Sequence, residues 1–129
     1  MEIYRQYEFL LKENECIEKE QSKIRVAISN YENKKTENTI VKKELDLIDE
    51  EDVVYKLIGP ILVQQETSDA KIQVDSRIEI INKEIHKLEK NYQTNSKNME
   101  ANRQKISDIQ AKLIQLSKQV EQQMKKEGK

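Results

Sequence analysis

Apolar residues follow a seven-residue rhythm in two long tracts, and one short stretch between them breaks it. In the first tract a column recurs as Ile3, Leu10, Ile17, Ile24, Tyr31, Asn38 and Leu45. The column four residues on reads Tyr7, Asn14, Gln21, Ile28, Lys35 and Lys42. One strong and one patchy column at heptad spacing predict a helix over residues 1–49 that buries one stripe in a coiled-coil seam. The Asn- and Lys-rich piece 30–39 is its weakest part, where a bend or fraying is expected. Past it, Ile40, Val41, Leu45, Leu47 and Ile48 surround much of the helix, so more than one partner helix is expected to cover this end.

The second tract is more regular. Its columns read Ile78, Ile85, Tyr92, Met99, Ile106, Leu113 and Val120, and Val74, Ile81, Leu88, Asn95, Asn102, Ile109 and Leu116. Only Asn95 and Asn102 are polar, which predicts one long coiled-coil helix over 68–126. Thr67, Ser68 and Asp69 offer an N-cap with an acid in the first turn. Lys125, Lys126, Glu127, Gly128 and Lys129 are expected to be a frayed tail.

Between the tracts, Glu50, Glu51 and Asp52 read as a solvated acidic turn that leads into the break. Residues 53–66 hold the only proline and one of two glycines, Gly59-Pro60, amid Val53, Val54, Tyr55, Leu57, Ile58, Ile61, Leu62 and Val63. β-branched and aromatic residues around a Gly-Pro break predict a β-hairpin. With Gly59 and Pro60 as a two-residue loop, Ile58 faces Ile61, Leu57 faces Leu62 and Lys56 faces Val63. Both faces are then apolar near the turn. A lone hairpin is marginal in water and needs further strands or a helix against it, so this sheet fragment calls for partners.

The fold class that follows is mainly α: a long antiparallel two-helix coiled coil joined by a single β-hairpin, one domain over 1–129, with both chain ends at the end remote from the hairpin. Polar seam positions suggest the register. Placing Asn14 opposite Asn102 and Gln21 opposite Asn95 also sets Ile3 on Leu113, Leu10 on Ile106, Ile17 on Met99 and Ile24 on Tyr92. A slip of one heptad faces the amides with apolar residues instead, and amides that satisfy each other fix register.

Composition narrows the function. Charged residues are 36% of the 129 and aromatics 5%, with no Trp, as in long solvent-washed helices. A net charge of −1 with interleaved signs supplies no basic stripe for nucleic acid, which weighs against a nucleic-acid-reading helical hairpin. Cys16 is the only cysteine, which suits a reducing compartment; the start of the chain lacks a signal-peptide core, and no apolar run approaches membrane-spanning length, so a cytoplasmic protein is expected. His86 and Cys16 stand off the seam without companions, and no phosphate-cradling loop or nucleophile–base set is present. No catalytic, cofactor-binding or metal-binding residues are expected, and an enzyme is not indicated.

The segment Asn38-Thr39-Ile40-Val41-Lys42-Lys43-Glu44-Leu45-Asp46-Leu47-Ile48-Asp49, followed by residues 53–66, closely resembles β-class prefoldin subunits. The likeness is specific for about thirty residues around the hairpin and extends as layout, helix–hairpin–helix, over nearly the whole chain. One hairpin fits the β class, since α-class subunits carry two. The resemblance implies a heterohexamer of two α and four β prefoldin subunits, held together by a double β-barrel of hairpins. It implies arm tips that capture non-native proteins, notably actin and tubulin chains, and deliver them to the cytosolic group II chaperonin without ATP, with no cofactor, no nucleic acid and no membrane among its partners. Off-seam apolar residues suit such tips: Tyr4, Phe9, Leu11, Ile114 and Met124, joined on fraying by Ile3, Tyr7, Leu10, Leu113, Leu116 and Val120. Near the hairpin the off-seam set is Ile40, Val41, Leu47, Ile48, Ile72 and Ile80; between the two sets little but Val26 remains. The competing reading is a coiled-coil tether or spacer in another assembly, which leaves the doubly apolar hairpin without a purpose.

Overall fold

The computed structural model describes residues 2–49 and 51–128; Met1, Glu50 and Lys129, and with them the first residue of the expected acidic turn and the last of the expected tail, lie outside the described residues. In order, the elements are helix α1 (Glu2–Leu47), strand β1 (Val54–Ile58), strand β2 (Ile61–Gln65) and helix α2 (Thr67–Glu127). The two helices and single hairpin follow the expected layout, with bounds shifted by one or two residues. The chain divides into two compact units, one of Met1–Lys23 with Asn91–Lys129 and the other of Ile24–Lys90.

In the unit that carries both chain ends, α1 and α2 run antiparallel with the expected pairing at Asn14. Asn102 Nδ2 donates to Asn14 Oδ1 at 3.0 Å, while Asn14 Nδ2 donates to the Met99 carbonyl at 3.4 Å. Leu10 and Ile109 are buried beside this pair. Gln21 departs from expectation. Its Nε2 donates to the Tyr92 carbonyl at 3.1 Å and to Ser96 Oγ at 2.9 Å rather than to Asn95. The longer Gln side chain reaches across the seam to the facing backbone, and Asn95 stays half-buried. Asn14 and Asn102 thus hold each other, and Asn14 and Gln21 also reach the facing backbone.

This register gives a direct check. With Cys16 replaced by Ser, cysteines at positions 17 and 99 should cross-link efficiently, and cysteines at 17 and 92 or 17 and 106 should not. Preferred linkage of 17 to 92 or 106 would show a slip of one heptad. Asn14→Leu with Asn102→Leu should raise the melting temperature while loosening that preference, because the amides specify pairing at a cost in stability.

The unit over Ile24–Lys90 centres on Leu45, Ala70 and Val74, with Ile48, Val54 and Ile78 packed against them. Here the patchy column of α1 leaves the seam: Lys35 and Lys42 are exposed. Lys42 Nζ lies 2.8 Å from Asp75 Oδ1, and this hydrogen bond, reinforced by the carboxylate charge, holds the Lys42 ammonium above the ordinary lysine range. A lysine pKa raised by folding contributes stability below the ordinary lysine range while its carboxylate partner is charged, and that contribution is lost as pH rises through the lysine range.

The stretch 30–39 does not fray: α1 is continuous through it. Thr36, Asn38 and Thr39 return their side-chain donors to the carbonyls of Glu32, Lys34 and Lys35, one turn back. Residues that compete for backbone bonds are thereby spent on the helix itself. The expected tail is likewise helical through Glu127, and the Gly128 amide closes the last turn on the Met124 carbonyl at 3.0 Å.

The α2 cap also differs from expectation. The Ala70 amide bonds the Glu66 carbonyl at 3.0 Å, so helical bonding begins at Glu66, and Thr67 does not cap. The buried Thr67 hydroxyl instead donates to the Asp52 carbonyl at 3.1 Å, tying the start of α2 to the approach of the hairpin. Asp49 and Asp52 close the turn before that: Asp52 N bonds Asp49 O, and Asp49 N bonds Asp52 Oδ2, each at 3.0 Å. The acidic turn is thus internally bonded rather than merely solvated, with Glu51 exposed.

Candidate functional site

The hairpin pairs as the sequence predicts, Ile58 with Ile61, Leu57 with Leu62 and Lys56 with Val63, extended by Tyr55 with Gln64 and Val54 with Gln65. Pro60 has its φ fixed near −65°, which excludes the type I′ loop with its two positive φ values. Gly59 at φ +57° followed by proline is the dihedral sequence of a type II′ turn, the two-residue loop with glycine first. A Cβ at Gly59 meets nothing within 4 Å, so substitution there costs backbone strain alone. Gly59→Ala should therefore lose about 1 kcal/mol, read as a lower melting temperature of the assembled complex with helix content unchanged.

Alternation along the strands sorts the hairpin into two faces. One carries Val54, Lys56, Ile58, Ile61, Val63 and Gln65. Its root rests on the helices, where Val54 joins the Leu45–Val74 cluster and Lys56 Nζ donates to Gln73 Oε1 at 3.2 Å. The other carries Tyr55, Leu57, Leu62 and Gln64, and the first three are 59%, 68% and 64% exposed. Ile58 and Ile61 at the turn, and Val53 before the strands, are exposed as well. Among the described residues the sheet contains only these two strands, so each also offers a free edge. A doubly apolar, two-stranded sheet open to water on both edges has the character of a surface that further strands can cover.

The second apolar set lies in the unit with the chain ends. Tyr4, Phe9, Leu11, Ile114, Leu116, Val120 and Met124 are exposed on continuous helix, without fraying. Ile3, Tyr7 and Leu113 are half-buried in the seam, where Tyr7 Oη accepts a 3.3 Å bond from Gln110 Nε2. Leu10 is buried and so is floor rather than contact surface. Two shallow hollows flank this seam. One, of about 410 Å³, has Phe9, Leu10, Lys105, Ile109 and Lys112 among its lining; the other, of about 400 Å³, has Leu11, Glu15, Glu18 and Arg103. Heptad reading finds the apolar members but not the charged rims, because rim residues sit beside the seam and join only when two helices are paired.

Cys16 and His86 are exposed, and among the described residues no group of His, Cys, Asp or Glu is placed to hold a metal ion. No helix among the described residues is long and apolar enough to cross a membrane.

Residues 10–112 match the prefoldin subunit family. The chain belongs to that family. It is similar to the probable prefoldin subunit 6 of Caenorhabditis briggsae, 35% identical over 107 residues that cover 83% of this chain and 84% of that protein. It resembles mouse prefoldin subunit 6 at 36% identity over 94 residues, 73% of this chain and 74% of the relative. Prefoldin subunit 6 of Arabidopsis thaliana is 42% identical over 77 residues, 60% of either chain. The solved prefoldin beta subunit from Thermococcus strain KS-1 matches with a TM-score of 0.76 over 80% of this chain and 90% of that one, and at 17% identity this likeness speaks for the fold alone. Membership in the prefoldin family carries assembly with other prefoldin subunits, and it makes the chain a non-enzymatic component.

Proposed function

We propose that the chain is a β-class subunit of a cytoplasmic, ATP-independent prefoldin hexamer that holds non-native proteins and passes them to the group II chaperonin. In this reading the hairpin joins the barrel of a two-α, four-β hub, and the exposed apolar residues of the chain-end unit grip clients of the actin and tubulin class. The observation that carries it is the hairpin of a prefoldin-family chain, apolar and exposed on both faces, which a spacer or tether does not require. The chain then counts as a single prefoldin-type domain over 1–129.

Grip by this surface needs no deep pocket. Small apolar contacts, each weak, sum over several arms that engage one unfolded chain together. Exposed side chains on helices can follow many sequences where a shaped cavity selects one. The test is reconstitution with the sister subunits. The complex should elute as a hexamer and suppress light scattering of a protein diluted from denaturant, without nucleotide, and should transfer it to the chaperonin for refolding. Assembly without suppression would leave a structural scaffold and sink the chaperone reading.

A further inference from the structure

The hollow beside Phe9 has a charge pattern that general apolar capture does not explain. Its floor is Leu10 and Ile109, each 8% exposed, and its wall is Phe9, 66% exposed. Lys105 and Lys112 stand on its rim, seven residues apart on α2, which separates their origins by about 10 Å along the helix. Both are exposed, and among the described residues neither forms an ion pair, whereas Lys42, Lys71, Lys83 and Arg103 each lie within 4 Å of a carboxylate. The one acid in the hollow, Asp108, receives a 3.4 Å bond from Gln104 Nε2 and offsets one of the two lysines, so the lining keeps a net positive charge.

We infer that this hollow seats an apolar side chain of a client segment whose neighbouring residues are acidic. The inference rests on the client-capture reading above and adds a selectivity to it. A Leu or Phe side chain entering between Phe9 and Ile109 brings its flanking residues over the two lysines. Carboxylates at those places gain two favourable charge pairings, and ammonium groups meet two like charges. The hollow on the other side of the seam makes the contrast: Glu15 and Glu18 stand on its rim, and its one cation, Arg103, lies 3.8 Å from Glu100. The two hollows are of similar volume and opposite rim charge, so the sign of the rim, not the room available, separates the segments each would accept. Charge in this way supplies discrimination while the apolar floor supplies most of the grip.

The test uses the assembled complex and two labelled peptides of equal length, each with one central Phe-Leu pair, flanked by Asp in one and by Lys in the other. Binding is read by fluorescence anisotropy, and intact helicity by circular dichroism. Lys105→Glu with Lys112→Glu should weaken the Asp-flanked peptide about three- to tenfold, the scale of two exposed charge pairs, and leave the Lys-flanked peptide unchanged or tighter. Lys105→Arg with Lys112→Arg should retain wild-type binding, Phe9→Ser should weaken the Asp-flanked peptide, and raising salt toward 1 M should shrink its advantage. If Phe9→Ser weakens binding but charge reversal does not, charge selection is wrong and apolar capture stands. If no variant changes either peptide, the hollow is not a docking site, and the aggregation assay on the complex judges the broader capture reading separately. Concentration-dependent self-association abolished by Phe9→Ser would mean that a second copy occupies the hollow, and would overturn the proposal.

Discussion

Leu57→Asp with Leu62→Asp should abolish the hexamer and leave the subunit folded. These residues pair across the hairpin on the face that the chain's own helices do not cover. In the isolated chain two carboxylates there stay in water at little cost. In an assembled sheet they lie opposite each other, stripped of water and without cationic partners, and such burial costs several kcal/mol. At about 1.4 kcal/mol per tenfold, that lowers association by a thousandfold or more. Sedimentation with the sister subunits should show free subunit, and circular dichroism should show helix content close to wild type. The choice of face matters. Val54→Asp with Val63→Asp would strike the same sheet, but Val54 packs on Leu45, Ala70 and Val74 within its own chain. Loss of assembly in that variant would not separate a broken hub from a destabilised subunit. An intact hexamer carrying Leu57→Asp and Leu62→Asp would remove the hairpin from the interface.

Much of this fold is written in local chemistry. Heptad columns report α2 because its stripe is apolar at nearly every turn, and each column residue from Val74 to Leu113 is buried or half-buried in turn. The Gly59-Pro60 loop sets the hairpin register, since period-two alternation leaves one pairing per loop length. Asn14 and Asn102 are legible as partners because two amides in apolar columns have few satisfactory neighbours. Column reading pairs Gln21 with Asn95 because it compares side chains of like position, whereas the longer amide reaches the backbone and Ser96. Thr67 has the composition of a cap, but its hydroxyl finds the Asp52 carbonyl across the hairpin root, an interaction of tertiary origin. The rim lysines are illegible for a related reason. Periodicity marks what is buried, and a site made of exposed charge beside a seam leaves no periodic trace.

Replacing Tyr4, Phe9, Leu11 and Ile114 together by Ser should leave assembly intact and weaken suppression of aggregation. All four are exposed, so their truncation opens no cavity, and each change should alter subunit stability by no more than about 0.5 kcal/mol. None belongs to the unit that carries the hairpin, so the hexamer should form as in wild type. The effect on a client is larger. A side chain that buries against an unfolded segment contributes about 1 kcal/mol or more, and Phe9 and Leu11 line hollows on both flanks of the seam. Removing two such side chains from this chain's arm should lower that arm's affinity by about thirtyfold. Because the arms of the sister subunits still hold the client, the complex concentration for half-maximal suppression should rise by less than this, about tenfold. Scattered exposed apolar residues are ordinary on any protein surface, and if these four are of that kind, light scattering of the diluted client will not distinguish the variant from wild type. That result would move the grip to other subunits or to the interior of the hexamer, and the apolar residues of the chain-end unit would need no function at all.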